Sequence, residues 1–108
     1  MKALVCYAKA DNSVDLREVP IPEIGPADCL VKVKYCGICG SDIHWSHGKH
    51  YGNWCPPVVL GHEWSGEIAT AGAQVQGFRV GDRVVAEATG AFAPFVKVPA
   101  NVLRHVPE

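Results

Sequence analysis

The sequence predicts an all-β domain with only short helices, a single sheet of short strands curled into a partly open barrel. Three observations lead there. Apolar residues recur in short runs with the period of two that a half-buried strand requires. Glycine and proline interrupt those runs repeatedly. No stretch of any length carries the period of an amphipathic helix.

Residues 2–8 alternate weakly and read as the first strand. Residues 15–19 are a second, stopped by Pro20 and Pro22, which cannot donate to a ladder. A turn at 23–26 precedes residues 30–35, which alternate over most of their length. Cys36-Gly37-Ile38-Cys39-Gly40-Ser41-Asp42 is then a glycine-broken corner, where Ser41 or Asp42 can cap a short helix through Ile43, His44 and Trp45. Residues 48–57 form an irregular loop. Strand character resumes at 58–60 and continues over 63–71. Residues 77–85 hold a tight turn entering another strand, 91–98 are a further strand, and a turn at 99–101 leads into a last one at 102–106.

At 108 residues the chain is the size of one domain, able to bury a core without disulfide staples. Lysine plus arginine (10) nearly balances aspartate plus glutamate (11), so no basic field points to nucleic acid or to an anionic membrane. No apolar run is long enough for a bilayer, and the interrupted apolar start does not read as a signal peptide. The five cysteines, Cys6, Cys29, Cys36, Cys39 and Cys55, are an odd count. They read as thiols and metal ligands of a reducing compartment, and a cytoplasmic protein is expected.

Chemistry concentrates between Cys36 and Glu63. Two thiolates spaced as Cys36 and Cys39 can clamp one metal on a knuckle, or be two buried thiols; the spacing alone does not choose. There is no second such pair, which argues against a closed site of four thiolates. The whole phrase decides more. The corner at 36–42, Val59-Leu60-Gly61-His62-Glu63 downstream, His44 and Gly48, Gly81-Asp82-Arg83-Val84, Gly90-Ala91-Phe92-Ala93 and Phe95-Val96-Lys97-Val98-Pro99 together resemble the zinc-dependent medium-chain alcohol and polyol dehydrogenases, closest to the sorbitol branch.

That resemblance implies a GroES-like β-barrel with a catalytic zinc held by Cys39 and His62, with Glu63 ligating or just behind, and with Cys36 outside the site. Successive strand residues face opposite ways, so His62 and Glu63 reach one metal only if the backbone bends at Gly61; otherwise Glu63 is an acid paired with a neighbouring cation. The resemblance gives Asp42 the task of fixing the His62 tautomer through its far nitrogen, although a helix N-cap suits it equally. A cation makes a bound alcohol acidic, and Ser41 with His44 about one helical turn further on suits a proton relay, as similar enzymes use these positions. By the same analogy Trp45, Tyr51 and Trp54 line a pocket for a small alcohol or polyol. His44, His47 and His50 recur every third residue but span a glycine, and read as a solvated loop.

Two absences complete the expectation. No G-x-G-x-x-G opens a helix after a strand, so the NAD(P) of the related enzymes has no Rossmann site within residues 1–108. Glu87-Ala88-Thr89-Gly90 also runs straight into Ala91-Phe92-Ala93-Pro94, without the four-cysteine lobe that many relatives carry there. The chain is therefore expected to be a single zinc-binding catalytic domain, inactive in dehydrogenation by itself, with an apolar surface around Trp45 and Trp54 that favours self-association. The alternative from another class is a barrel of the co-chaperonin type, an interaction module that docks a partner through the 48–57 loop.

Overall fold

A computed structural model describes residues 1–38, Ile43 and 57–107. Where the alternation and the punctuation place strands, strands form: β1 (Lys2–Cys6), β2 (Val14–Glu18), β3 (Asp28–Gly37), β4 (Val58–Val59), β5 (Glu63–Ala71), β6 (Arg83–Glu87), β7 (Phe95–Pro99) and β8 (Arg104–His105). All paired strands are antiparallel. Ile43, the one described residue of the expected short helix, is helical. Among the described residues no helix is long and apolar enough to cross a membrane.

Among the described residues the expected single sheet is two. One has the order β2-β1-β4 and the other β7-β3-β5-β6-β8, so the barrel is open where they meet. The reason lies in residues 88–92, which commit their backbone groups elsewhere. Ala88 N donates to His62 O, Gly90 N and Ala91 N to Gly61 O, and Phe92 N to Leu60 O. Leu4 N in turn donates to Phe92 O, which joins the segment to the first sheet. The strand expected over 91–98 consequently starts only at Phe95. The turn expected at 99–101 is a 3-10 turn over Ala100–Val102, and the last strand is reduced to Arg104–His105.

The core sits on the inner face of the five-stranded sheet: Cys29, Val31, Trp64, Ile68, Val84, Ala91, Val96, Val98 and Leu103 form one buried cluster. Two register irregularities set which residues reach it. Val33 pairs with Gly66 and Tyr35 with Ser65, so Lys34 is an extra residue in β3. The extra residue reverses the alternation, and Cys36 packs inward after Cys29, Val31 and Val33 have done so from odd positions. On β5 the same happens at Ala69, between Ile68 and Thr70, after which Ala71 faces the core. β3 and β5 approach closely: a methyl at Gly66 would lie 2.3 Å from the Lys32 carbonyl oxygen. Burial pushes the Cys6 and Cys29 thiols above their ordinary pKa, as expected of cysteines that serve as small hydrophobes.

The turn into β6 is held by Asp82. Its Oδ2 accepts a hydrogen bond from Arg79 N at 2.9 Å and lies 3.2 Å from His105 Nε2, whose ring stacks on Phe78. The Arg79 N–H, and after it His105, hold the Asp82 carboxyl below its ordinary 3.8. A depressed folded value means that the ionised form stabilises the fold. That contribution is complete above the ordinary aspartate value and fades as pH falls through the lower folded one. Asp82→Asn is expected to flatten the acid limb of a plot of Tm against pH. An acid limb as steep as that of the parent chain would refute the assignment.

Candidate metal centre

The site is built on a backbone bend. Gly61 has φ +92°, a conformation open to glycine, and it separates Leu60, buried at 2% exposure, from His62. Beyond the bend β5 begins at Glu63 with regular alternation, Trp64 turned inward and Glu63 outward. The bend rotates His62 out of the strand's alternation, so that its Nε2 lies 3.9 Å from Glu63 Oε1. The bend at Gly61 that the sequence requires for the two side chains to share a face is present in the backbone.

The bend is clamped. Leu60 N donates to Leu4 O, while the Gly61 and His62 carbonyls accept from residues 88–91 as described. Trp64 adds a side-chain tie, its Nε1 donating to Ala88 O at 2.8 Å. The His62 ring is mostly buried, with Nδ1 inward and Nε2 toward Glu63.

A third ligand-type side chain joins them. β5 pairs with β6 so that Glu63 stands directly opposite Glu87, and ligand atoms of His62, Glu63 and Glu87 all lie within 4.8 Å of one another. Glu87 was not singled out by the sequence. The signal for it is the alternation of β6, where Val84 points inward and Arg83, Val85 and Glu87 share the other face; its partner, however, is known only from register. On the far side of Glu63 stands Gly37, the last residue of β3. A Cβ added there would lie 3.7 Å from Glu63 Oε2, so the glycine adjoins that carboxylate.

One imidazole and two carboxylates are donors that suit zinc, and their chemistry fits the metal implied by the sequence. Cys36 is not in this group. Its side chain packs against the core cluster, and its Sγ lies 3.7 Å from Gly37 O. Cys39, Ser41, Asp42 and His44 lie outside the described residues, as do Trp45, His47, His50, Tyr51, Trp54, Cys55 and all of the 48–57 loop except Pro57.

Comparison with known proteins agrees with this architecture. Residues 25–108 match the alcohol dehydrogenase GroES-like domain. An L-threonine 3-dehydrogenase of Rhizobium etli is 46% identical over 89 residues, covering 81% of this chain and 26% of its own. A sorbitol dehydrogenase of Halalkalibacterium halodurans is 49% identical over 89 residues, covering 82% and 25%. Among solved structures, an alcohol dehydrogenase from Thermus sp. ATN1 superimposes with a TM-score of 0.84 at 32% identity, over 100% of this chain and 40% of that one. The chain thus spans about a quarter of the length of the curated relatives it matches. With the all-β architecture and the match over residues 25–108 agreeing, the chain belongs to the family of alcohol dehydrogenase GroES-like domains, as carried by the zinc-dependent medium-chain dehydrogenases.

Proposed function

We propose that this chain is the zinc-binding catalytic domain of an alcohol or polyol dehydrogenase, with Cys39, His62 and Glu63 as the metal ligands. The observation that carries the reading is the Gly61 bend, which turns His62 toward Glu63 at the head of β5. Cys39 enters from the sequence: it follows by two residues Gly37, which pairs with Glu63. Bound there, zinc supplies Lewis acidity toward the hydroxyl of a small alcohol.

The chain's own residues supply the rest. His62, gripped through its carbonyl and by burial of its ring, presents a fixed nitrogen donor. Asp42 is proposed to hold the other nitrogen of that ring and so to keep its tautomer. Ser41 and His44 are proposed to carry the hydroxyl proton away from the substrate to solvent, because histidine titrates near neutrality. Hydride acceptance requires a nicotinamide, for which residues 1–108 contain no fingerprint. The domain is therefore proposed to oxidise alcohols only together with a nicotinamide-binding domain.

Elemental analysis after purification tests the reading. About one zinc per chain is expected, lost in Cys39→Ala and in His62→Ala and kept in Cys36→Ala. Zinc retained by the first two variants and lost from the third would overturn it.

A further inference from the structure

We infer that Glu87 is a further ligand of this metal site, so that the ion is held by carboxylates from two neighbouring strands. The inference rests on the zinc reading above and adds to it a residue that the ligand set Cys39, His62 and Glu63 does not contain.

The register makes the case. Glu63 and Glu87 are a directly opposed cross-strand pair on the outer face of β5 and β6. Like charges in that position destabilise a sheet, whereas opposite charges stabilise it. No lysine or arginine among the described residues forms an ion pair with either carboxylate. What does face them is His62, which is fixed by the Gly61 bend and brings an imidazole nitrogen to the same point. A repulsive carboxylate pair converging with an imidazole is the arrangement that a divalent cation turns from unfavourable to favourable.

Distances agree. Zinc bonds of about 2.0–2.2 Å in a tetrahedron set neighbouring oxygen and nitrogen donors about 3.4 Å apart. The three donor atoms here are within 4.8 Å of one another, and both glutamates are exposed. Small rotations of two solvent-facing side chains close the remaining gap, with no movement of the backbone. β6 sets the position of Glu87, so a side chain one methylene shorter would draw its carboxylate back from the His62 and Glu63 donors.

Zinc affinity by chelator competition on the 108-residue chain separates the outcomes, with His62→Ala, Glu63→Gln, Glu87→Gln and Glu87→Asp compared with the parent. Glu87→Gln is expected to lose at least the roughly 10–100-fold in affinity that the loss of a residue acting only through a ligand costs. Glu87→Asp keeps the charge and is expected to lose nearly as much. The cobalt-substituted Glu87→Gln chain should show altered visible bands, reporting a changed ligand set. Without metal, Glu87→Gln should melt higher than the parent because the repulsion is gone, and with zinc it should melt lower. That crossing also shows that the variant folds. Unchanged affinity in Glu87→Gln, or parental affinity in Glu87→Asp with cobalt bands unaltered in Glu87→Gln, would overturn the role of Glu87 while leaving the His62 site intact. Zinc binding undiminished in His62→Ala would instead overturn the underlying site.

Discussion

Gly61→Ala is expected to cost about 3 kcal/mol or more of stability and to take zinc binding with it. Two costs add. An L-residue held at φ +92° is strained by about 1–3 kcal/mol. The new methyl would also stand 2.7 Å from Phe92 Cδ1 and 2.8 Å from Phe92 N, and the second of these is backbone that is itself bonded to Leu60 O. Relief requires residues 88–92 to move away, which releases the clamp that aims His62. Gly77→Ala is the control. It has φ +83° but open space around the added methyl, so it carries only the backbone strain. Thermal melting and a zinc titration of the two variants measure the difference. If Gly61→Ala melts with Gly77→Ala and still binds zinc, the clamp does not govern the site.

Trp64→Ala is the other large effect. Trp64 is 5% exposed, belongs to the buried cluster, and donates to Ala88 O. Truncating a buried tryptophan costs about 3–5 kcal/mol, to which a lost hydrogen bond contributes about 1 kcal/mol. For a domain of this size each kcal/mol lowers Tm by roughly 4–8 °C, so a fall of more than about 12 °C is expected. Trp64→Phe keeps most of the apolar contact and should lose much less. Its remaining loss reports the bond to Ala88, the residue whose own N–H holds the His62 carbonyl. Equal falls in Tm for the two variants would show that the indole nitrogen, and not the ring's bulk, carries the effect.

The two variants mark what the sequence could and could not tell. Strand positions were legible because apolar alternation and proline stops are local signals, as at residues 30–35 and Pro20. The bend at Gly61 was legible as a requirement, since His62 and Glu63 could not otherwise share a face. The division into two sheets was not legible. It depends on where Gly90, Ala91 and Phe92 send their backbone groups, and each sends them some 30 residues back along the chain, to Leu60 and Gly61. Glu87 was missed for the same reason: its neighbour across the ladder is set by register between β5 and β6, and nothing in its own surroundings in the sequence announces it. Cys36 shows the opposite case. The family phrase keeps it out of the expected ligand set, and separately the extra residue Lys34 turns its side chain toward the core cluster.

That extra residue has a wider consequence. Lys34 is exposed and belongs to neither the core nor the cluster of donors, so its identity is almost free. Its presence is not. Removing it would put every later position of β3 out of phase, exchanging the sides on which Tyr35 and Cys36 stand and changing how the chain arrives at Gly37. On this stretch the constraint is on counting: the end of β3 opposite Glu63 tolerates a change of letter far better than a change in the number of letters.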